Sequence, residues 1–265
     1  MREANTVSTR SESADVAETG AGTDIRAVNR VAQILGLFRP TQPKLTPAAV
    51  AAQLSLNRTT AYRYCMSLAA ANLLERTESG EFTPGAILLE LGAFALSRRD
   101  VLAIAPRHMK TLSASTGATA VLSLWGATGP VVSAVEEETQ RDVIVTVRVG
   151  THLSMETAQA SVFLAYHPDQ LYIERLQANL PDRDRDRLSA RAAATRAAGH
   201  AANVNSRGIA ILAAPIFDAQ GLCAALAVMS TREVLSVEPS SGELRALRAA
   251  AAEITAELGG TAPSS

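Results

Sequence analysis

The chain changes texture once, from helical hydrophobic spacing to short β-rich runs. In "IRAVNRVAQILGLF", Val28, Val31, Ile34, Leu35 and Phe38 recur at helical spacing, with Thr23 or Asp24 available as the cap. Pro40 and Pro43 then break the pattern. "TPAAVAAQL" starts a second helix, with Thr46 as N-cap and Pro47 at the first helical position. After the turn "SLN", Asn57 caps a third helix that runs to about Asn72. One face of that helix carries Ala61, Cys65 and Leu68, with Tyr64 on its border. Thr59, Tyr62, Arg63 and Met66 fall on the opposite face. "LLERTESGEFTPG" alternates on either side of Ser79-Gly80 and reads as a short β-hairpin. Helix, helix, turn, helix, hairpin is the order of a winged helix-turn-helix.

"AILLELGAFALSRR" is a helix with Ile87, Leu88, Leu91 and Ala95, too apolar to stand alone. It is expected to link two domains and to pack against a second copy of itself. A helix over 101–116 follows, expected to break at Ala105-Pro106. "TAVLSLW", "VVSAVEE" and "DVIVTVRV" are β-rich runs, and Glu136 to Glu138 read as a hairpin tip. "SMETAQASVFLAYHP" is helical, as are 168–180 and 182–198. "GIAILAAPIF" and "LCAALAVMS" form a buried strand pair around the turn "DAQG", and a last helix spans 240–258. The second half is therefore expected to be a mixed sheet with helices around it, an α+β sensor-like domain.

Composition narrows this picture. A chain of 265 residues favours two domains, and 47 % hydrophobic content permits real cores. With only 4 % aromatic residues, those cores must be built from Ala, Val, Leu and Ile. No apolar run reaches the roughly 18 residues of a membrane span. The N-terminal stretch lacks the apolar core of a secretory signal and is polar enough to be disordered. Cys65 and Cys223 are the only cysteines, far apart and outside any C-x-x-C, which fits buried thiols of a cytoplasmic protein. From Arg26 to Gly85, seven basic residues face three acids, a local charge of +4 in a chain of net −1, so the rest carries −5. A basic module on an acidic body suits contact with a polyanion through one end.

The third helix supplies the chemistry for such contact. Arg58 and Arg63 can donate two hydrogen bonds to a guanine edge or grip phosphate. Thr59 and Thr60, at the helix N-terminus, can bond phosphate oxygens or touch a thymine methyl. Tyr62 can stack or bond, and Arg76 at the base of the wing can reach the flanking backbone. The competing reading of this cluster is a solvated polar face on a core helix. The capped preceding helix, the three-residue turn and the hairpin favour DNA.

Other signals carry less. His108, His152, His167 and His200 lie in different elements without a second ligand at i+4, which argues against a metal site. "DRDRDR" at 182–187 alternates in sign at a helix start and fits a solvated face. No G-x-S-x-G, P-loop or H-E-x-x-H pattern is present, so neither catalysis nor a cofactor is indicated.

From Ile25 to Gly92 the chain resembles the N-terminal domain of IclR-family transcriptional regulators. "IRAVNRVAQILGLF", "LTPAAVAAQLSLNRTTAYRYCMSLAAANLLER" and "GEFTPGAILLELG" stand where that family has its first helix, its helix-turn-helix and its wing with linker helix. "VRVGTHLSMETAQASVFLAY" and "GIAILAAPIFDAQGLCAALAVMS" resemble its effector domain. The resemblance covers about Ile25 to Leu258. It implies a tail over 1–23, a winged helix-turn-helix over 24–85, a linker and dimerisation helix over 86–99, a GAF-like mixed α/β effector domain over 100–259 and a tail over 260–265. It also implies a homodimer or homotetramer on a palindromic double-stranded DNA operator, because two-fold protein symmetry matches two half-sites. The protein would be cytoplasmic, without a membrane partner and without enzymatic activity.

By the same resemblance the effector pocket is lined by Val143 and Val145, by Met155, Gln159 and Ala160, and by Asn203, Ile211, Ala227 and Met229. The family commonly shows a Pro-Leu-His run near the second group, where this chain has Ser154, Met155 and Glu156. An acid is replaced by Asn203 and Asn205, a frequent cysteine by Ile211, and two serines by Ala227 and Met229. These exchanges remove hydrogen-bonding groups and add apolar area, which favours an effector with an apolar body, an aromatic acid or a larger carboxylate. Gln159, Asn203 and Asn205 remain as neutral anchors, with Glu156 as a further candidate; the alternative for these positions is plain core packing. Two rival functions stay open: a ligand-blind DNA-binding scaffold, and a small-molecule enzyme with an accessory DNA-binding domain.

Overall fold

The computed structural model describes residues 25–139, 144–178 and 180–263. The expected disordered tail over 1–23, the caps Thr23 and Asp24, and Val143 lie outside these residues. The described chain divides into two compact units, residues 25–38 with 44–84, and 85–263 together with 39–43.

The first unit opens with α1 (Arg26–Leu35), α2 (Pro47–Gln53) and α3 (Arg58–Ala70). The caps read from sequence are in place: Ala49 N donates to Thr46 Oγ1 at 3.1 Å, and Thr60 N donates to Asn57 Oδ1 at 2.7 Å. Ser55, in the turn between α2 and α3, adopts φ +52°, where glycine is the usual occupant. Ile34, Val50, Ala61, Cys65, Leu68, Leu74 and Phe82 close the core. Strands β1 (Leu74–Arg76) and β2 (Phe82–Pro84) pair antiparallel as the wing. Phe82 is fully buried and its backbone exchanges both hydrogen bonds with Leu45, which ties the wing to the segment leading into α2.

The second unit starts with α4 (Ala86–Ser97), which has no buried residue; Leu89 is 75 % and Phe94 61 % exposed. Next comes α5 (Asp100–Thr116), a single helix where a break at Pro106 was expected. Proline cannot give residue 102 its hydrogen bond, at a cost of about 3 kcal/mol. The buried row Val101, Ala105, Met109 and Leu112 holds the helix together across it. Then follow β3 (Thr119–Trp125), β4 (Pro130–Glu136), α6 (Ala158–Tyr166), α7 (Gln170–Gln177), α8 (Asp182–Ala198), β5 (Ala201–Val204), β6 (Ile209–Asp218), β7 (Gly221–Thr231) and α9 (Gly242–Glu257).

The five strands lie in the order β4-β3-β7-β6-β5, and every pairing is antiparallel. The sheet is thus mixed with helices but not mixed in strand direction. On one face α5 and α9 bury Leu122, Leu212, Ile216, Leu226 and Val228. On the other, α6 packs over Ile211, Ala213, Ala225 and Ala227. Small side chains there let a helix lie close to the sheet.

Two β expectations fail. Residues 144–148 form no strand, because the edge of β4 beside them is taken by residues 150–153: Gly150 N and Leu153 N donate to Val132 O and Pro130 O. Glu136 to Glu138 are therefore the end of β4 and its exit, not the tip of a hairpin. Conversely, β5 was not expected; its four residues gain strand geometry only by pairing with β6.

Candidate nucleic-acid interface and ligand site

The Asn57 cap sets the first turn of α3, and with it the direction of every side chain that follows. Ala61, Cys65 and Leu68 are buried, which turns Thr59 and Arg63 outward, with Tyr62 on one shoulder and Thr60 on the other. Arg58, Thr59, Tyr62 and Arg63 are exposed; Thr60 is half-buried. Thr60 and Arg63 border a groove of about 530 Å³ shared with Tyr64, Ser67 and Val31 of α1. Arg76 is exposed on β1. None of Arg58, Arg63 and Arg76 forms an ion pair with a described carboxylate, so their charge is available to an external anion. Among the described residues of this unit, Lys44 pairs with Glu81 at 3.7 Å, between the wing and the start of α2. This is a helix N-terminus, with its partial positive charge, flanked by guanidinium and hydroxyl groups.

In the second unit the expected effector residues divide. Strand register aligns Asn203, Ile211, Met229 and Thr119 in one cross-strand row, and Ala201, Ala213, Ala227 and Val121 in the next. Both rows lie on the face covered by α6. Gln159 and Ala160 are buried in α6, so six of the nine predicted residues lie on α6 or on the sheet face that it covers. Asn203 Nδ2 donates to Glu156 O at 3.2 Å, joining β5 to the chain that enters α6. Glu156 itself pairs with Arg187 and Arg191 of α8 and so faces away from that region. Met155 packs against Leu164, Ile173 and Leu188, a cluster that shares Trp125 with the one between α6 and the sheet. Val145 is half-buried in the irregular segment 144–148.

The region holds polar atoms that the protein leaves unpartnered. Gln159 is 3 % exposed, and its Oε1 has no donor; the Oγ of fully buried Ser123 and the Nε1 of Trp125 also lack a described partner. Ser123 and Trp125 alternate onto the same face of β3, and the Trp125 ring meets Phe163 at 5.2 Å. Gln159 precedes Phe163 by one turn on the same side of α6. The three orphaned polar atoms thus belong to α6 and to the sheet face that it covers. The register of β3 against β4 shifts at Leu122/Ser123, a bulge of the kind that re-aims side chains beside functional sites. Sequence reading missed Ser123 and Trp125. The available signal was a hydroxyl standing in the otherwise apolar "TAVLSLW", two residues from its only tryptophan.

Among the described residues, no group of three or more His, Cys, Asp or Glu could hold a metal ion. His108 instead sits between Glu253 at 3.1 Å and Glu257 at 2.8 Å, joining α5 to α9. No helix of the described residues is long and apolar enough to cross a membrane.

Comparison with known proteins agrees with both halves. The family model for the IclR helix-turn-helix domain matches residues 27–78, and that for the C-terminal domain of bacterial IclR transcriptional regulators matches residues 93–256. A structure from Silicibacter sp. TM1040, ascribed to an ICLR transcriptional regulator, superposes with a TM-score of 0.77 at 23 % identity, covering 89 % of this chain and 98 % of that one. An IclR family transcriptional regulator from Brucella abortus gives 0.72 at 18 % identity, covering 92 % and 96 %. An IclR homolog from Microbacterium hydrocarbonoxydans, solved in complex with 4-hydroxybenzoate, gives 0.68 at 22 % identity, covering 88 % and 99 %. At these identities the likeness is one of fold. No curated protein matches the chain.

Proposed function

Because the chain belongs to the IclR family of bacterial transcriptional regulators, with a DNA-binding helix-turn-helix and a C-terminal effector domain, we propose that it reads a palindromic operator as a homo-oligomer and responds to a small organic effector. The observation that carries the first part is the Asn57-capped α3, which offers Arg58, Thr59, Tyr62 and Arg63 to solvent without a described carboxylate on either arginine. Arg58 and Thr60 serve the phosphates at the helix N-terminus, Arg63 and Tyr62 the base edges, and Arg76 the flanking backbone. Association of two copies is supported by α4, whose Leu89, Leu91, Phe94 and Leu96 are all exposed; water around such a helix is costly, and a second copy would remove it.

The effector reading rests on Gln159, Ser123 and Trp125. A ligand between α6 and the sheet that donates a hydrogen bond to Gln159 Oε1 would satisfy a buried acceptor the protein leaves open. The alanines and Ile211 around it suit an apolar body. A phenol such as 4-hydroxybenzoate, the ligand of the Microbacterium protein, has this combination of ring and hydroxyl donor. Binding would act by favouring one arrangement of α6 over another.

The test of the DNA reading is a footprint with Arg63→Ala. Loss of one bidentate base contact should cost about 1–3 kcal/mol per half-site and erase the specific footprint at working concentrations. Arg63 is exposed, so the melting temperature should stay where it was. An unchanged footprint from a folded variant would place the reading face elsewhere.

A further inference from the structure

The C-terminal unit holds a cavity at the β5 side of β6, bordered by α6, α8 and α9. It has a volume of about 780 Å³, within the range of small-molecule sites. It opens because β5 covers β6 only as far as the pair Ala201–Ala213, so Ala214, Pro215 and Phe217 are paired with β7 on one side and border the space on the other. Its walls come from Tyr166 at the end of α6, Arg196 on α8, and Arg248 and Thr255 on α9. On α9 the lining positions 248, 251, 252, 255 and 256 share one helical side, and all except Arg248 and Thr255 are alanine.

The cavity is apolar in its walls and positive at its rim. The Arg196 guanidinium lies 5.4 Å over the Tyr166 ring and donates to Ala165 O, while the Tyr166 hydroxyl donates to Arg196 O at 3.3 Å. Tyr166 and Phe217 meet edge to face at 5.4 Å and supply an aromatic wall. Neither Arg196 nor Arg248 pairs with a described carboxylate. Of the three glutamates of α9, Glu253 and Glu257 pair with His108 and Arg107 of α5 on the opposite side of the helix, and Glu243 lies in the first turn, outside the lining. Burial pushes the Tyr166 phenol up, while the Arg196 and Arg248 guanidinium groups, which both line the cleft, pull it down.

We propose that this cleft is a second ligand site, distinct from the effector region under α6, and that it takes a small carboxylate with a flat apolar body. The carboxylate lies between Arg248 and Arg196, within reach of Tyr166, and the body lies on the alanine wall of α9 against Phe217.

The test is calorimetric titration of the intact protein with 2-naphthoate and with 2-naphthylmethanol, which keeps the ring system and lacks the charge. Naphthoate should bind saturably, and the alcohol at least about tenfold more weakly. Arg248→Gln, at an exposed position, should weaken naphthoate binding about tenfold or more. Ala252→Trp, also exposed, should fill the cleft and abolish binding with the melting temperature unchanged. Ala227→Leu, which crowds the sheet face under α6, should leave naphthoate affinity as it was. The proposal is overturned if no saturable binding occurs up to about 5 mM. It also fails if affinity survives both cleft variants, or if Ala227→Leu is the change that removes it.

Discussion

Gln159→Leu separates an unsatisfied core from a satisfied one. Gln159 is 3 % exposed, and its Oε1 accepts no hydrogen bond from the described protein. A buried acceptor without a donor costs about 1–3 kcal/mol relative to its hydrated state. Leucine has a similar volume, adds apolar contact with the cluster around Phe163, and removes that penalty. In the absence of effector the variant should therefore be more stable by about 1–3 kcal/mol. For a unit of this size that is a rise of roughly 3–9 °C in melting temperature. The assay is a thermal melt followed by circular dichroism, alongside Gln159→Glu, which buries a charge in the same place and should melt lower than wild type. If the site binds effector through Oε1, Gln159→Leu should also keep operator affinity and lose release by effector. A leucine variant that melts below wild type would refute the reasoning, because Oε1 must then already be bonded in the protein as it exists in solution.

Asn57→Ala removes the side chain that accepts from Thr60 N at 2.7 Å; it should cost about 1 kcal/mol in stability and weaken operator binding in a gel shift, since the same cap orients Arg58 and Thr59. Gly260→Ala would put a Cβ 2.2 Å from Phe217 O and 2.5 Å from its carbonyl carbon, so the chain after α9 must move off β6, with a loss of about 1–3 kcal/mol in a denaturant titration. Burial raises the Cys65 thiol, and burial with the Asp218 carboxylate beside it pushes Cys223 up to about 12, against 9.0 for a free thiol. The folded state therefore holds the protons that the unfolded state gives up, and stability should fall as pH rises from about 9 toward 12. Aromatic disulfide reagents at pH 8 should modify the native thiols slowly and the urea-unfolded thiols at once.

Local signals were legible wherever the physics is local. Thr46, Pro47 and Asn57 announced α2 and α3 because a cap is satisfied within three residues, and the period of Ala61, Cys65 and Leu68 told which side of α3 faces inward. The paired runs around "DAQG" became β6 and β7 because both are continuously apolar and joined by a tight turn. The errors came where a partner distant in sequence decided the outcome. Pro106 stays inside α5 because packing on the sheet and α9 outweighs the missing hydrogen bond. Residues 144–148 alternate correctly for a strand but have no edge to pair with, and Ala201–Val204, unremarkable alone, found one.

The candidate sites divide in the same way. Arg58, Thr59, Tyr62 and Arg63 sit on one short helix, so the sequence by itself determined which face of α3 meets solvent and that it is basic: the helical period carries that information over two turns. The ligand sites could be decided only by tertiary structure. Met155 and Gln159 are four residues apart, yet one packs with Ile173 and Leu188 and the other lies under the sheet face. Ser123 and Trp125 become orphaned polar groups only in the folded unit, and Tyr166, Arg196 and Arg248 border one cleft where β5 stops short of the end of β6. A helix cap satisfies its hydrogen bonds within one turn of chain, whereas a cavity is the space left when elements from all along the chain fail to fill it.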